Sequence, residues 1–190
     1  MTRLYQQVIR NLHHALQIKR RAITEDPRKT AHFLGSQVEY LLKDTSWLPK
    51  QYRVAAAGTV ANYLIYKTKA FSLLALVWGK GQKLPIHNHK VAGAIGIVQG
   101  NETEQPYEKL DSGLFKPVGK PIIAKPGDVG LVWPDGRDWH SVANDHEETS
   151  VSLHLYAADY TNFAREKLVD DKLVGYVSKP QNPFIWYLSD

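Results

Sequence analysis

The chain has 190 residues, 43% hydrophobic and 23% charged, which suits one domain with a substantial buried core. It has no cysteine, so a disulfide framework is excluded and any metal must be held by His, Asp or Glu. A formal charge of +5 and a pI near 9.3 permit an anionic partner. However, the one tight basic run, Lys19-Arg20-Arg21, lies near Glu25 and Asp26 with no aromatic–basic platform beside it, so nucleic-acid binding is not expected.

Met1 to Arg10 lack the apolar core of a signal peptide, and no run reaches membrane-spanning length, so a cytoplasmic protein with no membrane partner is expected. From Leu4 to Ile23 apolar residues recur at helical spacing (Leu4, Val8, Leu12, Ala15), which predicts an amphipathic helix with a basic outer face. Asp26-Pro27 ends it, and a second helix is predicted over Thr30 to Lys43, with Phe33, Leu34, Val38, Leu41 and Leu42 on its inner side. His13, His14 and His32 fall in these helices; the consecutive pair cannot face one centre, so these histidines are placed at the surface.

After Trp47-Leu48-Pro49 the texture changes. Val60 to Tyr66, Phe71 to Trp78, Ala92 to Val98, Val129 to Trp133 and Val151 to Tyr156 read as short strands. Gly79-Lys80-Gly81, Gly100-Asn101, Lys125-Pro126-Gly127 and Pro134-Asp135-Gly136 read as the turns between them. Many short strands with regular turns predict an all-β sandwich or barrel. The apolar tail Phe184-Ile185-Trp186-Tyr187 is expected to pack against it. The organisation is therefore one domain over residues 1–190, with a helical segment to about residue 50 and the β-barrel and tail from about residue 55.

Within this frame Pro85-Ile86-His87-Asn88-His89 places two histidines one residue apart. On a strand His87 and His89 would project to the same face and Asn88 to the other, so the pair could hold two adjacent corners of a coordination sphere. His140, in Asp138-Trp139-His140-Ser141, is the best-placed third ligand. His146 sits in an evident polar turn and is left out. Ser152, His154 and Tyr156 alternate along the last predicted strand and share one face. Facing a barrel interior they would need partners, and one hydrogen-bonded chain aimed at the metal site meets that need.

These residues resemble the cupin superfamily, whose fold is the double-stranded β-helix, or jelly-roll barrel. Gly81, His87-Asn88-His89 and Gly100 resemble its first motif; Gly127, Pro134-Asp135-Gly136, His140 and Asn144 resemble its second. The resemblance implies a mainly β jelly roll with the N-terminal α-helices packed on it. Cupins usually carry a glutamate four or five residues beyond the second histidine, where this chain has Gly93 and Ala94. That loss is similar to the thiol dioxygenases, which hold Fe(2+) with three histidines.

From about Tyr63 to Arg165 the chain resembles bacterial cysteine dioxygenase-like proteins that include 3-mercaptopropionate dioxygenases. The resemblance implies a metal held by His87, His89 and His140, a Ser152–His154–Tyr156 relay, and Arg165 pairing with a substrate carboxylate. The partners it implies are a small thiol carboxylate and O2. Departures are also present. Val60 to Tyr66 lacks the carboxylate-binding arginine of the mammalian type and offers only Asn62, and Ala92 stands where the bacterial group often has tryptophan. Three histidines plus water also suit zinc, so softness and geometry leave the metal open. The alternatives are a cupin enzyme acting on a non-thiol substrate such as a dicarbonyl, or a non-catalytic metal- or ligand-binding cupin.

Overall fold

Apolar residues at helical spacing open the chain as α1 (Arg3–Glu25), followed by α2 (Pro27–Leu42), in a computed structural model that describes residues 3–135 and 138–179, apart from the side chains of 15–24. The face of Lys19-Arg20-Arg21, Gly136 and the tail at Phe184-Ile185-Trp186-Tyr187 lie outside the described residues. The second helix begins three residues before Thr30. Asp26-Pro27 does end α1, but it also starts α2: the Asp26 carboxylate accepts the Lys29 N–H at 3.1 Å as an N-cap, and Pro27 occupies the first turn. Among the described residues no helix is long and apolar enough to cross a membrane.

The strands in chain order are β1 (Val60–Lys67), β2 (Ser72–Trp78), β3 (Lys83–His87), β4 (Gly93–Gln99), β5 (Glu102–Lys109) and β6 (Phe115–Pro117). They continue as β7 (Ile122–Ala124), β8 (Val129–Val132), β9 (Trp139–Ala143), β10 (Ser150–Tyr156), β11 (Ala164–Val169) and β12 (Lys172–Val177). One sheet has the order β1-β2-β10-β4-β8; the other runs β12-β11-β3-β9-β5-β6, with β7 also on β5. From β2 to β5 and from β8 to β11 the chain crosses to the opposite sheet at every step, and the paired strands are antiparallel. That winding is the jelly roll, a double-stranded β-helix.

All five strands predicted from composition are present within a residue or two of their expected ends. They are the strands of the first sheet, where the helices cover the outer face and both faces are apolar. Leu73, Ala75 and Val77 on β2, with Val151, Leu153 and Leu155 on β10, pack outward against Val8, Leu12, Leu34 and Val38. Each fully buried Val or Leu among them contributes about 1.5–3 kcal/mol. Gly96 makes the contact possible, since a Cβ there would lie 2.4 Å from Val38 Cγ1. The inward face carries Leu74, Leu76, Trp78 and Tyr156, which meet Val142 and Tyr160 in the interior.

Candidate metal centre

The barrel interior brings His87, His89 and His140 together, each buried, with one nitrogen of each within 4.8 Å of the others. His87, the last residue of β3, is the direct cross-strand partner of His140 on β9. The ladder shifts register between Leu84 and His87, an irregularity that re-aims side chains at a sheet rim. The pair was expected on one strand, but β3 stops at His87 and His89 follows it in a turn. The Asp138 carboxylate fixes that turn, accepting the backbone N–H of His89 at 2.8 Å and of Lys90 at 3.0 Å. Lys90 there takes a left-handed φ of 55°, uncommon for a residue with a side chain. Asn88 does turn away from the triad, yet it is buried rather than wet. Its side chain bonds the Glu166 carboxylate at 3.0 Å and accepts the Glu166 N–H at 2.9 Å, tying β3 to β11.

Hydrogen bonds fix which nitrogen is free on two of the three rings. His87 Nδ1–H donates to the Pro85 carbonyl at 2.9 Å, and His140 Nδ1–H donates to the Glu104 carboxylate at 2.6 Å. Each ring then presents its Nε2 lone pair. His140 Nε2 and His89 Nδ1 are buried and have no hydrogen-bond partner. Leaving such atoms unsatisfied costs about 1–3 kcal/mol apiece, which a cation among the three rings would relieve for lone pairs facing it. Burial first, and then the neighbouring imidazoles, hold His87 and His89 well below the ordinary histidine range, so both are neutral, as ligation requires. Burial pushes Glu104 up, but the hydrogen bond to His140 and the attraction of that ring together outweigh it and hold the carboxyl below its ordinary range. The residues present therefore fit a divalent metal.

Among the described residues no carboxylate joins the three histidines. Position 93 lies four residues beyond His89, and Gly93 sits directly across from Tyr156 in the β4–β10 ladder. A Cβ at Gly93 would lie 2.6 Å from Tyr156 Cδ1, so the phenol ring occupies the space a side chain would need.

Ser152, His154 and Tyr156 face the interior and form the expected chain: Ser152 Oγ to His154 Nε2 at 2.9 Å, and His154 Nδ1 to Tyr156 Oη at 2.9 Å. Trp78 Nε1–H also donates to Ser152 Oγ at 3.2 Å. The Tyr156 ring centre lies 5.6 Å from that of His89, placing the end of the chain at the triad. Burial pushes His154 down to about 3 and the Tyr156 phenol up, so both are neutral across the physiological range.

Arg165 lies on β11, 6% exposed, and faces the same cavity. Its guanidinium stacks over Tyr160 and Tyr176, each 5.0 Å away, and bonds Ser178 Oγ. Its Nε is buried without a partner, and among the described residues it forms no ion pair with a carboxylate. Asn62 lines the cavity and donates to Tyr160 Oη at 2.7 Å. Ala92 is buried but does not line it. The cavity measures about 550 Å³, with Leu76, Ile95, Ile97 and Val142 among its apolar walls.

Three groups at the site escaped the sequence reading. Glu104, which orients His140, and the buried Glu102 stand two apart on β5 with only their strand alternation as a signal. Asp138 clamps the His89 turn from just before β9, and nothing in its local sequence marks that role. His146 forms hydrogen bonds in the β9–β10 turn, away from the triad, as expected.

No family model matches the chain. Solved structures to which it is similar include a cupin superfamily protein from Desulfitobacterium hafniense, at 14% identity and a TM-score of 0.44, covering 56% of this chain and 84% of that one. Another is a protein with a double-stranded β-helix domain from Klebsiella pneumoniae, at 16% identity and a TM-score of 0.46, covering 62% and 85%. A third is an RmlC-like cupin from Methanocaldococcus jannaschii, at 16% identity and a TM-score of 0.41, covering 54% and 84%.

Proposed function

We propose that the protein is an iron(II)-dependent thiol dioxygenase that converts a small mercapto-carboxylate, such as 3-mercaptopropionate or cysteine, to its sulfinate. The observation that carries this reading is the meeting, in one cavity, of an all-histidine triad with a Ser–His–Tyr chain that ends beside it. In the overall reaction RS⁻ and O2 give RSO2⁻. The O–O bond breaks, two S–O bonds form, and the four electrons that sulfur loses are those that O2 gains, so no external reductant is needed. Iron held by His87, His89 and His140 supplies the place where thiolate and dioxygen meet.

The chain's own residues do the rest. Arg165, buried and among the described residues without a carboxylate partner, binds the substrate carboxylate through its planar fork of donors. Tyr156 offers its hydroxyl to the reacting groups, and His154 and Ser152 fix its orientation. The aliphatic walls keep water away from the sulfur. One observation favours a second reading: a cavity of about 550 Å³ is of the size that takes drug-sized ligands and exceeds what a three-carbon thiol fills. It supports a cupin metalloenzyme acting on a bulkier non-thiol substrate such as a dicarbonyl.

Metal analysis of protein purified without chelator, followed by oxygen uptake with a panel of thiols, separates the two. Stoichiometric iron and consumption of one O2 per carboxylate-bearing thiol are expected. Bound zinc or nickel, with no uptake after reconstitution with iron, would overturn the reading. With Arg165→Ala, affinity for thiols bearing a carboxylate should fall by roughly 2–4 kcal/mol, while a thiol amine loses far less. Equal losses on both would make Arg165 a structural residue.

A further inference from the structure

Gly93 and Gly96 on β4 have packing reasons to be glycine, since a Cβ at either would collide with a neighbouring side chain. Gly130, in the middle of β8, has none. A Cβ there would meet nothing within 4 Å, the residue does not take a positive φ, and its ladder with β4 runs without a bulge. Glycine inside a strand weakens it, and where neither a bulge nor a close backbone explains it, what remains is the room it leaves for a ligand. That room lies inside the barrel. Gly130 is the direct partner of Ile95, and Ile95 of His154, so all three face the interior.

The strand order places this room on the far side of the triad from Arg165. In the second sheet, β11 with Arg165 lies beyond β3 on one side, and β5 with β7 lies beyond β9 on the other. In the first sheet, β4 separates β8 from β10, so Gly130 stands two strand spacings, about 10 Å, from the strand of His154 and Tyr156. The cavity of about 550 Å³ is lined by residues from both ends. Its far arm is aliphatic on both sheets, with Ile95, Ile97 and Val132 from the first and Ile122, Ala124 and Val142 from the second. Among the described residues lining this arm none is a lysine or arginine; Arg165, Lys167 and Lys179 all lie towards β11 and β12. The acids that border it are engaged: Glu104 with His140, Glu102 with the Ser150 hydroxyl, and Asp128 with the Lys125 N–H. At its end Ile122 is 53% exposed, a large aliphatic side chain left uncovered.

We propose that this arm is a subsite for a hydrocarbon chain, and that Gly130 is the specificity-determining residue that keeps it open. The ligand it fits is an acid with an apolar chain: the carboxylate pairs with Arg165, the chain passes the triad, and its end lies between β8 and β7. Each methylene taken out of water into such walls adds affinity, and a side chain at position 130 would fill the space instead. As a statement about the substrate this rests on the function proposed above. It makes the substrate a mercapto-carboxylate bearing an apolar chain of several carbons, because a bare three-carbon thiol leaves the arm empty. As a binding site for hydrocarbon the arm does not depend on that reading.

The experiment is calorimetric titration of the full-length, metal-free protein with straight-chain carboxylates from butyrate to dodecanoate, none of which carries sulfur. Affinity should rise with length by about two- to fourfold per methylene and level off once the chain outruns the arm. Gly130→Leu, for which the structure has space, should weaken dodecanoate at least tenfold and leave butyrate within twofold. Ala124→Leu, which narrows the arm from the opposite sheet, should do the same and serves if the first variant does not fold. Arg165→Ala should weaken every acid in the series by a similar factor. An affinity that does not change with chain length overturns the proposal, and so does dodecanoate binding that is unaltered in a folded arm variant. An ω-amino acid that binds more tightly than the alkyl acid of equal length would also overturn it, by showing that the bordering carboxylates, not the aliphatic walls, select the ligand. Because the acids contain no thiol and the protein no metal, a failure of thiol oxidation would leave this result standing.

Discussion

Glu104→Gln isolates one interaction at the triad, the 2.6 Å bond by which a carboxylate holds the His140 ring. Glutamine keeps the shape and can still accept the Nδ1–H through its amide oxygen, so what is lost is the charge. A hydrogen bond to a charged acceptor contributes about 1.5–3 kcal/mol against about 0.5–1.5 for a neutral one. Glu104 is half-buried, and solvent screening favours the lower part of that difference. The expected loss of metal affinity is therefore about 1–1.5 kcal/mol, close to tenfold. Glu104→Ala removes the acceptor altogether and should reach the upper part of the 10–100-fold range seen when outer-sphere partners of ligating histidines are lost. Competition titration with a chromophoric chelator measures both directly and needs no assumption about the reaction. If Glu104→Gln binds metal as tightly as the parent, within about twofold, then Glu104 does not support His140 as a ligand.

Other perturbations read other parts of the site. Tyr156→Phe should keep the metal but lose turnover, by about one to a few kcal/mol in the barrier, and unchanged kinetics would remove Tyr156 from the machinery. Gly93→Ala forces a methyl to within 2.6 Å of a buried ring, and a loss of about 1–3 kcal/mol in denaturant unfolding is expected; an unshifted midpoint would mean that Tyr156 can move aside freely. Glu102 gives stability a pH slope. Its carboxyl is pushed up from 4.5 to about 7, so between those values the folded state holds a proton that the unfolded state has released. Stability therefore falls by up to roughly 3 kcal/mol as pH rises through that window, and Glu102→Gln should flatten the slope in melts across it. Parallel wild-type and variant profiles would place the acid elsewhere.

How much of this was legible in the sequence follows the burial of each sheet. The first sheet lies between the helices and the cavity, and β2 and β10 are buried at every position, so they read as apolar runs with turn residues at their ends. The second sheet has its outer face in water. Strands such as Glu102-Thr103-Glu104-Gln105 and Ala164-Arg165-Glu166-Lys167 mix charge with structure and carry no apolar run to announce them. The same division applies to the site. His87, His89 and His140 were found because ligand spacing is a property of residue type. Glu104 and Glu102 were missed because their roles depend on which strand lies beside β5, and that is set by the winding of the barrel rather than by local pattern.

That no carboxylate joins the three histidines among the described residues has its reason in the β4–β10 ladder. Gly93 and Tyr156 are cross-strand partners, and the ring of one fills the place where the other would carry a side chain. A carboxylate ligand rooted at position 93 and a phenol beside the triad are therefore alternatives for the same volume. With the phenol there, His87, His89 and His140 are, among the described residues, the groups that could hold an ion, and a divalent ion held by three neutral rings would keep its full charge. It also brings the Tyr156 hydroxyl, with the chain back through His154 to Ser152, beside the triad. Among the described residues, the lack of a carboxylate at the triad and the presence of the Ser152–His154–Tyr156 chain are one packing decision. Changing position 93 alone to glutamate would not recover a four-ligand centre, because the Cβ would meet the ring before the carboxylate could reach the metal.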